Sequence, residues 1–191
     1  MDYGERVLIV SSGEKGRGAL LRLLRDGGFQ TVLTSSSGGD ARRTLLESDF
    51  DLVLLNAPLS DEFGDDLAED CAERGCGVLM IVRAELAEEC AAKVEDCGVL
   101  VIEKPVNRGL LFQALKLALA AGRRALGLKR ETVRLQDKIE EIRLVSRAKC
   151  VLIEVLGMTE PQAHRYLEKQ AMDLRCTRRE VARGVLSTYE R

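Results

Sequence analysis

The chain has 191 residues, of which 46% are hydrophobic and 4% are aromatic, and its formal net charge is −2. This length allows one large domain or two small ones, and the composition indicates a core built on aliphatic side chains. No run approaches the roughly 18 to 20 apolar residues of a membrane span. The first residues lack the basic flank and apolar stretch of a secretory signal, so we expect a cytoplasmic protein that does not associate with membranes.

The small net charge conceals an asymmetry between the two halves of the chain. Residues 1–121 contain 13 Lys and Arg against 21 Asp and Glu, whereas residues 122–191 contain 16 against 10. A basic segment is expected to be the part that meets a polyanion. Two solvated surfaces of opposite sign would give the same counts, so charge alone leaves both interpretations open.

Nothing in the sequence indicates catalysis. There is one histidine, and the six cysteines form no CxxC pair and have no histidines at zinc spacing. The chain also contains no nucleophile elbow and no P-loop. These features predict a protein that is not an enzyme, with reduced thiols, no metal site and no cofactor.

Short apolar strands alternate with amphipathic helices along the first part of the chain. The strands are expected at residues 6–10, 31–34, 51–55, 77–82 and 99–102. The helices between them are expected at residues 16–26, 39–48, 64–74 and 86–96. Continuous apolar strands that alternate with helices predict an α/β domain, a flavodoxin-like doubly wound sheet of five parallel strands.

Polar residues follow four of the predicted strands, where the functional edge of such a sheet lies. They are Ser11 and Ser12, Asn56, Arg83, and Lys104 with Pro105. This frame resembles the CheY-like receiver domain of two-component response regulators, over about residues 5–121. The family has an acidic pair at Ser11 and Ser12, a phosphoacceptor aspartate at Asn56 and a Ser or Thr at Arg83, so Lys104 is the one member of the chemical set that remains.

These departures predict a pseudo-receiver, with a degenerate pocket that is not phosphorylated. Mg²⁺ prefers carboxylate oxygens, and two hydroxyls with an amide bring no charge to compensate the ion. An amide is also no nucleophile for a phosphoryl group. Asp51 opens a strand and Asp61 lies in the following loop, so neither is expected to replace the acceptor. Arg83 is expected to place a cation in the emptied pocket near Asn56. For Lys104, a purely structural role is an equally open interpretation.

The next segment is helical from residue 109 to about 156, with Gly122 and Gly127 as its weak points. Apolar residues recur in it at heptad spacing, which predicts a coiled coil over about residues 113–146. The expected dimer seam consists of Leu128, Leu135, Ile139 and Ile142, and a parallel homodimer would bury it. Packing of the same stripe against this chain's own domains remains an alternative.

Start and stop signals divide the last part of the chain into three helices. Gly157 is a C-terminal cap, and capping boxes are expected at Thr159 with Gln162 and at Thr177 with Glu180. Two short helices on a coiled-coil stem predict a small three-helix bundle.

This segment closely resembles the ANTAR domain, an RNA-binding module of transcription antiterminators. The matching residues are Ala148, Lys149, Leu152, Glu160, Ala163, Leu167, Ala171, Met172, Val181 and Ala182. The expected domains are therefore a receiver-like domain at residues 1–121, a coiled-coil linker at 122–142 and an ANTAR domain at 143–191.

The resemblance implies a regulator that binds two short stem-loops of nascent mRNA, each with a hexanucleotide loop, and so prevents a terminator hairpin from forming. Lys and Arg would hold phosphates and aromatic rings would stack on bases. The candidate RNA-binding residues are Lys149, His164, Arg165, Tyr166, Lys169, Arg178, Arg179 and Arg183. With a degenerate receiver, the resemblance also implies control by a ligand-sensing or kinase-like regulatory protein. The alternatives are a DNA-binding response regulator and a protein-interaction module.

Overall fold

The computed structural model describes residues 3–189. The chain forms two compact units, the first ending at Leu128 and the second beginning at Lys129. No helix among the described residues is long and apolar enough to cross a bilayer. In chain order the elements are β1 (Tyr3–Ser11), α1 (Glu14–Asp26), β2 (Phe29–Ser35), α2 (Gly38–Glu47), β3 (Leu52–Asn56), α3 (Asp65–Glu73), β4 (Gly77–Arg83), α4 (Ala84–Val94), a 3₁₀ turn (Glu95–Cys97), β5 (Leu100–Lys104), α5 (Arg108–Leu156), α6 (Glu160–Asp173) and α7 (Arg178–Tyr189).

The first unit is built on a parallel sheet with the strand order β2-β1-β3-β4-β5. Helix α1 and the first part of α5 cover one face of the sheet, and α2, α3 and α4 cover the other. The central strands are buried on both faces, which explains why they read as unbroken apolar runs. The predicted doubly wound fold is confirmed, and strand order places the ends of β1 and β3 side by side.

The second unit is a three-helix bundle formed by the end of α5 with α6 and α7. Its buried core contains Ala148 and Leu152 from α5, Ala163 and Leu167 from α6, and the α7 residues Val181, Ala182, Val185 and Leu186. The small side chains Ala148, Ala163 and Ala182 are completely buried, so the three helices approach closely. The predicted bundle is confirmed.

The predicted caps of the bundle are present. Gly157 has a φ of 63° and its N–H donates to Ile153 O at 3.1 Å, which ends α5 in a left-handed turn. The N–H of Thr159 donates to Gln162 Oε1 at 2.8 Å. The N–H of Thr177 donates to Glu180 Oε2 at 2.8 Å, and the Glu180 N–H returns a bond to Thr177 Oγ1 at 3.2 Å. These bonds satisfy amides that a helix start leaves without partners.

Gly122, a weak point of α5 by helix propensity, is a point of close packing in the first unit. A Cβ at Gly122 would overlap the backbone N of Gly77 in β4, and a Cβ at Gly77 would overlap the carbonyl group of Ala118 in α5. Helix and strand therefore meet backbone to backbone. Gly127, by contrast, has open space around its Cα among the described residues.

We predict opposite effects of the same substitution at these two glycines. Gly127→Ala is expected to raise the free energy of unfolding by about 1 kcal/mol, because alanine favours the helix. Gly122→Ala is expected to lower it by about 2 kcal/mol, because overpacking against the backbone outweighs that gain. Urea unfolding of both variants measures the difference. Equal stability of the two variants would contradict the close approach at Gly122.

Candidate functional site

The carboxyl ends of β1 and β3 lie side by side at the predicted degenerate pocket. Ser11 and Asn56 are partners in the sheet register, and Asn56 Nδ2 donates to Ser11 Oγ at 2.9 Å. Ser11 is completely buried, while Ser12 is exposed. The Arg17 guanidinium donates to Ser11 O at 2.8 Å. The Asn56 amide thus gives one of its two hydrogens to the Ser11 hydroxyl, and a cation stands at the end of β1.

Lys104 is directed to the loop after β3. Its Nζ donates to Ala57 O at 2.8 Å. Partial burial, reinforced by the positive charge of Arg83, lowers the pKa of Lys104. Arg83 and Lys104 are partners in the register of β4 and β5, so their side chains leave the same face of the sheet.

Arg83 is exposed at the end of β4, and its positive charge contributes to the lowered pKa of Lys104. Its predicted position near Asn56 stays a prediction. A second cation, Arg17, stands at the end of β1. Sequence reasoning missed Arg17, since a basic residue in the first turns of a helix carries no distinctive signal.

The two nearby carboxylates have structural roles. Asp61 accepts the N–H of Gly38 at 2.8 Å and of Gly39 at 2.9 Å, so it caps the start of α2. These backbone bonds lower the pKa of Asp61. Asp51 accepts the N–H of Arg6 at 2.8 Å, at the opposite end of the strands. Neither carboxylate lies where an acceptor aspartate would replace Asn56.

The side chains described at this edge are neutral or cationic. Within the described residues, no cluster of three or more His, Cys, Asp or Glu side chains could hold a metal ion. The groups at this edge are the Ser11 hydroxyl, the Asn56 amide and two cations, Arg17 and Lys104. Such a set attracts anions and repels Mg²⁺.

The predicted dimer seam forms an apolar stripe along α5. Leu128 is 57% exposed, Leu135 is 54%, Ile139 is 49% and Ile142 is 59%. Beyond Ile142 the apolar residues of α5 turn into the core of the bundle, where Ala148 and Leu152 are buried. The stripe is thus distinct from the surface that α5 uses within the second unit.

The basic residues of the bundle fall into two groups, and the first group is paired with carboxylates. Lys149 Nζ lies 2.6 Å from Glu160 Oε1, and this bond lowers the pKa of Glu160. His164 Nε2 lies 3.3 Å from Glu168 Oε1. The remaining pairs connect α7 to the other two helices. Arg178 pairs with Glu141 of α5 at 3.6 Å and with Glu168 of α6 at 3.9 Å, and Arg179 pairs with Glu140 at 2.5 Å and Asp137 at 3.7 Å, both of α5.

The second group consists of Arg165, Lys169 and Arg183. They are exposed, and no carboxylate of residues 3–189 lies within ion-pair distance of them in the contacts described. A cation without a partner retains its full charge for a polyanion, whereas a paired cation must first lose its partner. The predicted RNA contacts thus divide into side chains that form ion pairs and side chains that do not in the described contacts, although the charge of Arg183 also acts on Glu180.

Arg165 and Lys169 lie on a shallow groove of about 500 Å³ between the end of α5 and α6, here called the α5–α6 groove. Its lining consists of Leu156, Gly157, Met158, Gln162, Arg165, Tyr166 and Lys169. Tyr166 is half-buried and packs its ring partly against the core, so the ring is held in place while one side faces the groove. A fixed aromatic ring in the same groove as two cations suits a nucleotide base with its phosphates.

A second cationic surface joins α5 and α7, here called the arginine cluster. It surrounds a depression of about 350 Å³ and consists of Arg143, Arg147 and Arg183, together with Glu140 and Leu144. Sequence reasoning named Arg183 but missed Arg143 and Arg147. Their spacing of four residues places them on one side of α5, which is the signal that would have found them.

The second unit corresponds to a known domain. Residues 133–186 match the model of the ANTAR domain. The transcriptional regulatory protein PdtaR of Mycobacterium tuberculosis is 30% identical over 184 residues, which cover 96% of this chain and 90% of the relative. The chain belongs to the ANTAR-domain response regulators. It is a transcriptional regulator of the response-regulator type.

Solved structures show the fold of the first unit in this ANTAR regulator. A CheY-like receiver domain protein of Methanospirillum hungatei superposes with a TM-score of 0.56 at 23% identity, covering 63% of this chain and 97% of that chain. A receiver domain from an HD domain-containing protein of Pseudomonas fluorescens gives 0.57 at 20% identity, covering 69% and 96%. The receiver frame predicted from Asn56, Arg83 and Lys104 is therefore a receiver fold.

Proposed function

We propose that this ANTAR regulator binds RNA stem-loops of nascent transcripts and so prevents transcription termination. The observation that carries the proposal is the α5–α6 groove, whose lining includes Tyr166 together with the cations Arg165 and Lys169. Bases splayed out of an RNA loop stack on aromatic rings, and adjacent phosphates bind cations. The groove offers both groups on one fixed surface.

The arginine cluster supplies a second contact for the same RNA. Arg143 and Arg147 project from α5 beside Arg183 of α7. Guanidinium groups bind phosphates with two parallel hydrogen bonds, so such a cluster suits a phosphate backbone. Lys149, Arg178 and Arg179 pair with carboxylates on other helices of the bundle, whereas His164 pairs with Glu168 within α6, so these four predicted contacts would have to leave their partners to bind RNA.

A homodimer formed through Leu128, Leu135, Ile139 and Ile142 would present two bundles to the two stem-loops. Each stem-loop would occupy one bundle, and linking two weak contacts raises the overall affinity. The exposed stripe on α5 supports this assembly, because apolar side chains at heptad spacing are buried in coiled coils.

The first unit acts in this proposal as a pseudo-receiver that is controlled through a partner protein, either ligand-sensing or kinase-like, rather than by phosphorylation. We predict that acetyl phosphate with Mg²⁺ leaves the intact mass of the chain unchanged, because Asn56 is no nucleophile and the edge is cationic. An active receiver domain treated in parallel is the control. A phosphorylated chain, with the modification mapped to unit one, would contradict the pseudo-receiver.

The proposed function is tested by selection from an RNA pool. The pool consists of tandem hairpins with randomised hexanucleotide loops, and a second pool carries single hairpins with the same loops. We expect enrichment of a common loop sequence, and stronger enrichment in the tandem pool. Enrichment without any loop preference would contradict loop recognition and indicate a general affinity for polyanions.

The apolar stripe also fits a second function, that of a protein-interaction module without RNA binding. In that case the stripe would receive a different protein, and the basic surfaces of the bundle would be solvated. The same selection distinguishes the two functions, since a pure interaction module would enrich no RNA. A DNA-binding regulator would instead prefer a duplex DNA competitor.

A further inference from the structure

A cavity of about 220 Å³ lies next to the degenerate pocket in the first unit. It is bounded by α1 on one side, by the ends of β3, β4 and β5, and by the start of α5. Its lining consists of Gly16, Ala19, Leu20, Leu23, Asn56, Ile81, Lys104, Val106 and Leu111. The receiver chemistry described above makes no use of this space.

The lining has two chemically different parts. Its walls are aliphatic, and its polar groups are the carboxamide of Asn56 and the ammonium of Lys104. An ammonium has three N–H groups, and the bond from Lys104 to Ala57 O uses one of them. The Asn56 Nδ2 group likewise has a second hydrogen beyond the one given to Ser11. Donors therefore remain at the polar end.

The charge around this polar end is positive. The described lining residues include Lys104 and no carboxylate, and Arg83 is the register partner of Lys104 on the next strand. Arg17 adds a guanidinium at the end of β1. A receiver balances its lysine with carboxylates, whereas here an anion from solution would have to do so.

Gly16 keeps the polar end accessible. A Cβ at this position would lie 3.0 Å from Asn56 Nδ2 and 3.5 Å from Ser11 Oγ. Any larger side chain would therefore cover the amide that lines the cavity. Gly16 lies inside α1, where glycine costs about 1 kcal/mol relative to alanine, so helix stability alone does not account for it.

We propose that this cavity binds a small organic carboxylate with a short branched apolar tail. The carboxylate accepts hydrogen bonds from Lys104 Nζ and Asn56 Nδ2, and the tail lies against Leu20, Leu23 and Ile81. At roughly 30 Å³ for a water-sized group, the volume admits about seven non-hydrogen atoms. The site would give the pseudo-receiver a chemical input of its own, independent of RNA binding.

The probe for this site is isovalerate, whose branched tail and single carboxylate match the cavity. Amide shifts of the ¹⁵N-labelled full-length protein are followed during titration, without RNA. We expect saturable shifts at residues 16–23, 56 and 104–111, and at least tenfold weaker binding of isovaleramide, which lacks the charge. Inorganic phosphate is expected to bind at least tenfold more weakly, because it leaves the aliphatic walls uncovered.

Two variants locate the binding. Lys104→Gln is expected to weaken isovalerate binding at least tenfold, whereas Lys116→Gln, an exposed lysine of α5, is expected to leave it unchanged. Gly16→Ala is expected to weaken binding at least threefold while the melting temperature changes by only a few degrees, because the gain in helix propensity offsets the tight contact with the Asn56 amide. This second variant keeps the test valid if Lys104→Gln does not fold.

Several results would overturn the proposal. No saturable shift with isovalerate, equal affinity for isovaleramide, or equal affinity for phosphate would each do so. Shifts that persist unchanged in Gly16→Ala and Lys104→Gln would place the binding elsewhere. None of these outcomes depends on RNA, so a failure of this site and a failure of RNA binding are separate results.

Discussion

Replacing Ile139 with Glu is expected to convert a dimer of this regulator into a monomer. Ile139 is 49% exposed in the single chain, so a seam contact would remove about half of its surface from water, worth about 1 kcal/mol in each chain. In the variant, the two facing carboxylates repel each other and lose water, and together these effects cost at least as much free energy as the lost apolar burial. A total of about 4 kcal/mol raises the dissociation constant roughly 1000-fold, which sedimentation velocity measures.

Val133 provides a matched control on the same helix. It is β-branched, 51% exposed and lies off the seam, so Val133→Glu makes the same chemical change outside the proposed contact. We expect this variant to remain a dimer. A parent chain that is monomeric, or equal disruption by both variants, would contradict the seam at Leu128, Leu135, Ile139 and Ile142.

The double substitution Arg165→Glu with Lys169→Glu is expected to weaken RNA binding about 100-fold. Both side chains lie on the α5–α6 groove and are free of carboxylate partners in the described contacts. A charge-assisted hydrogen bond contributes about 1.5 kcal/mol, so losing two costs about 3 kcal/mol. The slope of log affinity against log salt concentration is also expected to become shallower, by the contribution of about two phosphate contacts.

Lys15→Glu with Arg22→Glu is the control for this variant, because it makes the same change in net charge on exposed positions of α1 in the acidic unit. We expect less than a threefold effect on RNA affinity, because these side chains belong to a different unit from the proposed contact and exposed charges are screened at physiological salt. If both double variants weakened binding equally, net charge rather than the groove would determine the affinity.

Much of the fold could be predicted because its signals are local. The strands of the first unit are buried on both faces, so they appear as unbroken apolar runs such as residues 52–55. The caps at Gly157 and Thr177 follow from residue types at fixed spacing. Each of these features depends on neighbours within a few residues.

The arrangement of charges could not be predicted, because it depends on contacts far apart in the sequence. Arg179 lies next to Glu140 and Asp137, some forty residues away in the chain, and this pairing separates it from Arg165 and Lys169. Arg17, the cation beside Ser11, lies only six residues away along the chain, and it was missed because a basic residue in the first turns of a helix carries no distinctive signal. Gly122 read as a weak point of a helix, and its packing on Gly77 appears only in three dimensions.

The measurement that tests the central claim most directly is fluorescence anisotropy of the purified chain with three nucleic acids. These are a tandem two-hairpin RNA with the selected hexanucleotide loops, the same RNA with scrambled loops, and a DNA duplex of the same length. We predict binding to the first RNA that is at least 100-fold tighter than to the other two, with a salt slope of several phosphate contacts. Equal binding to all three, or no binding to the tandem RNA, would contradict the account.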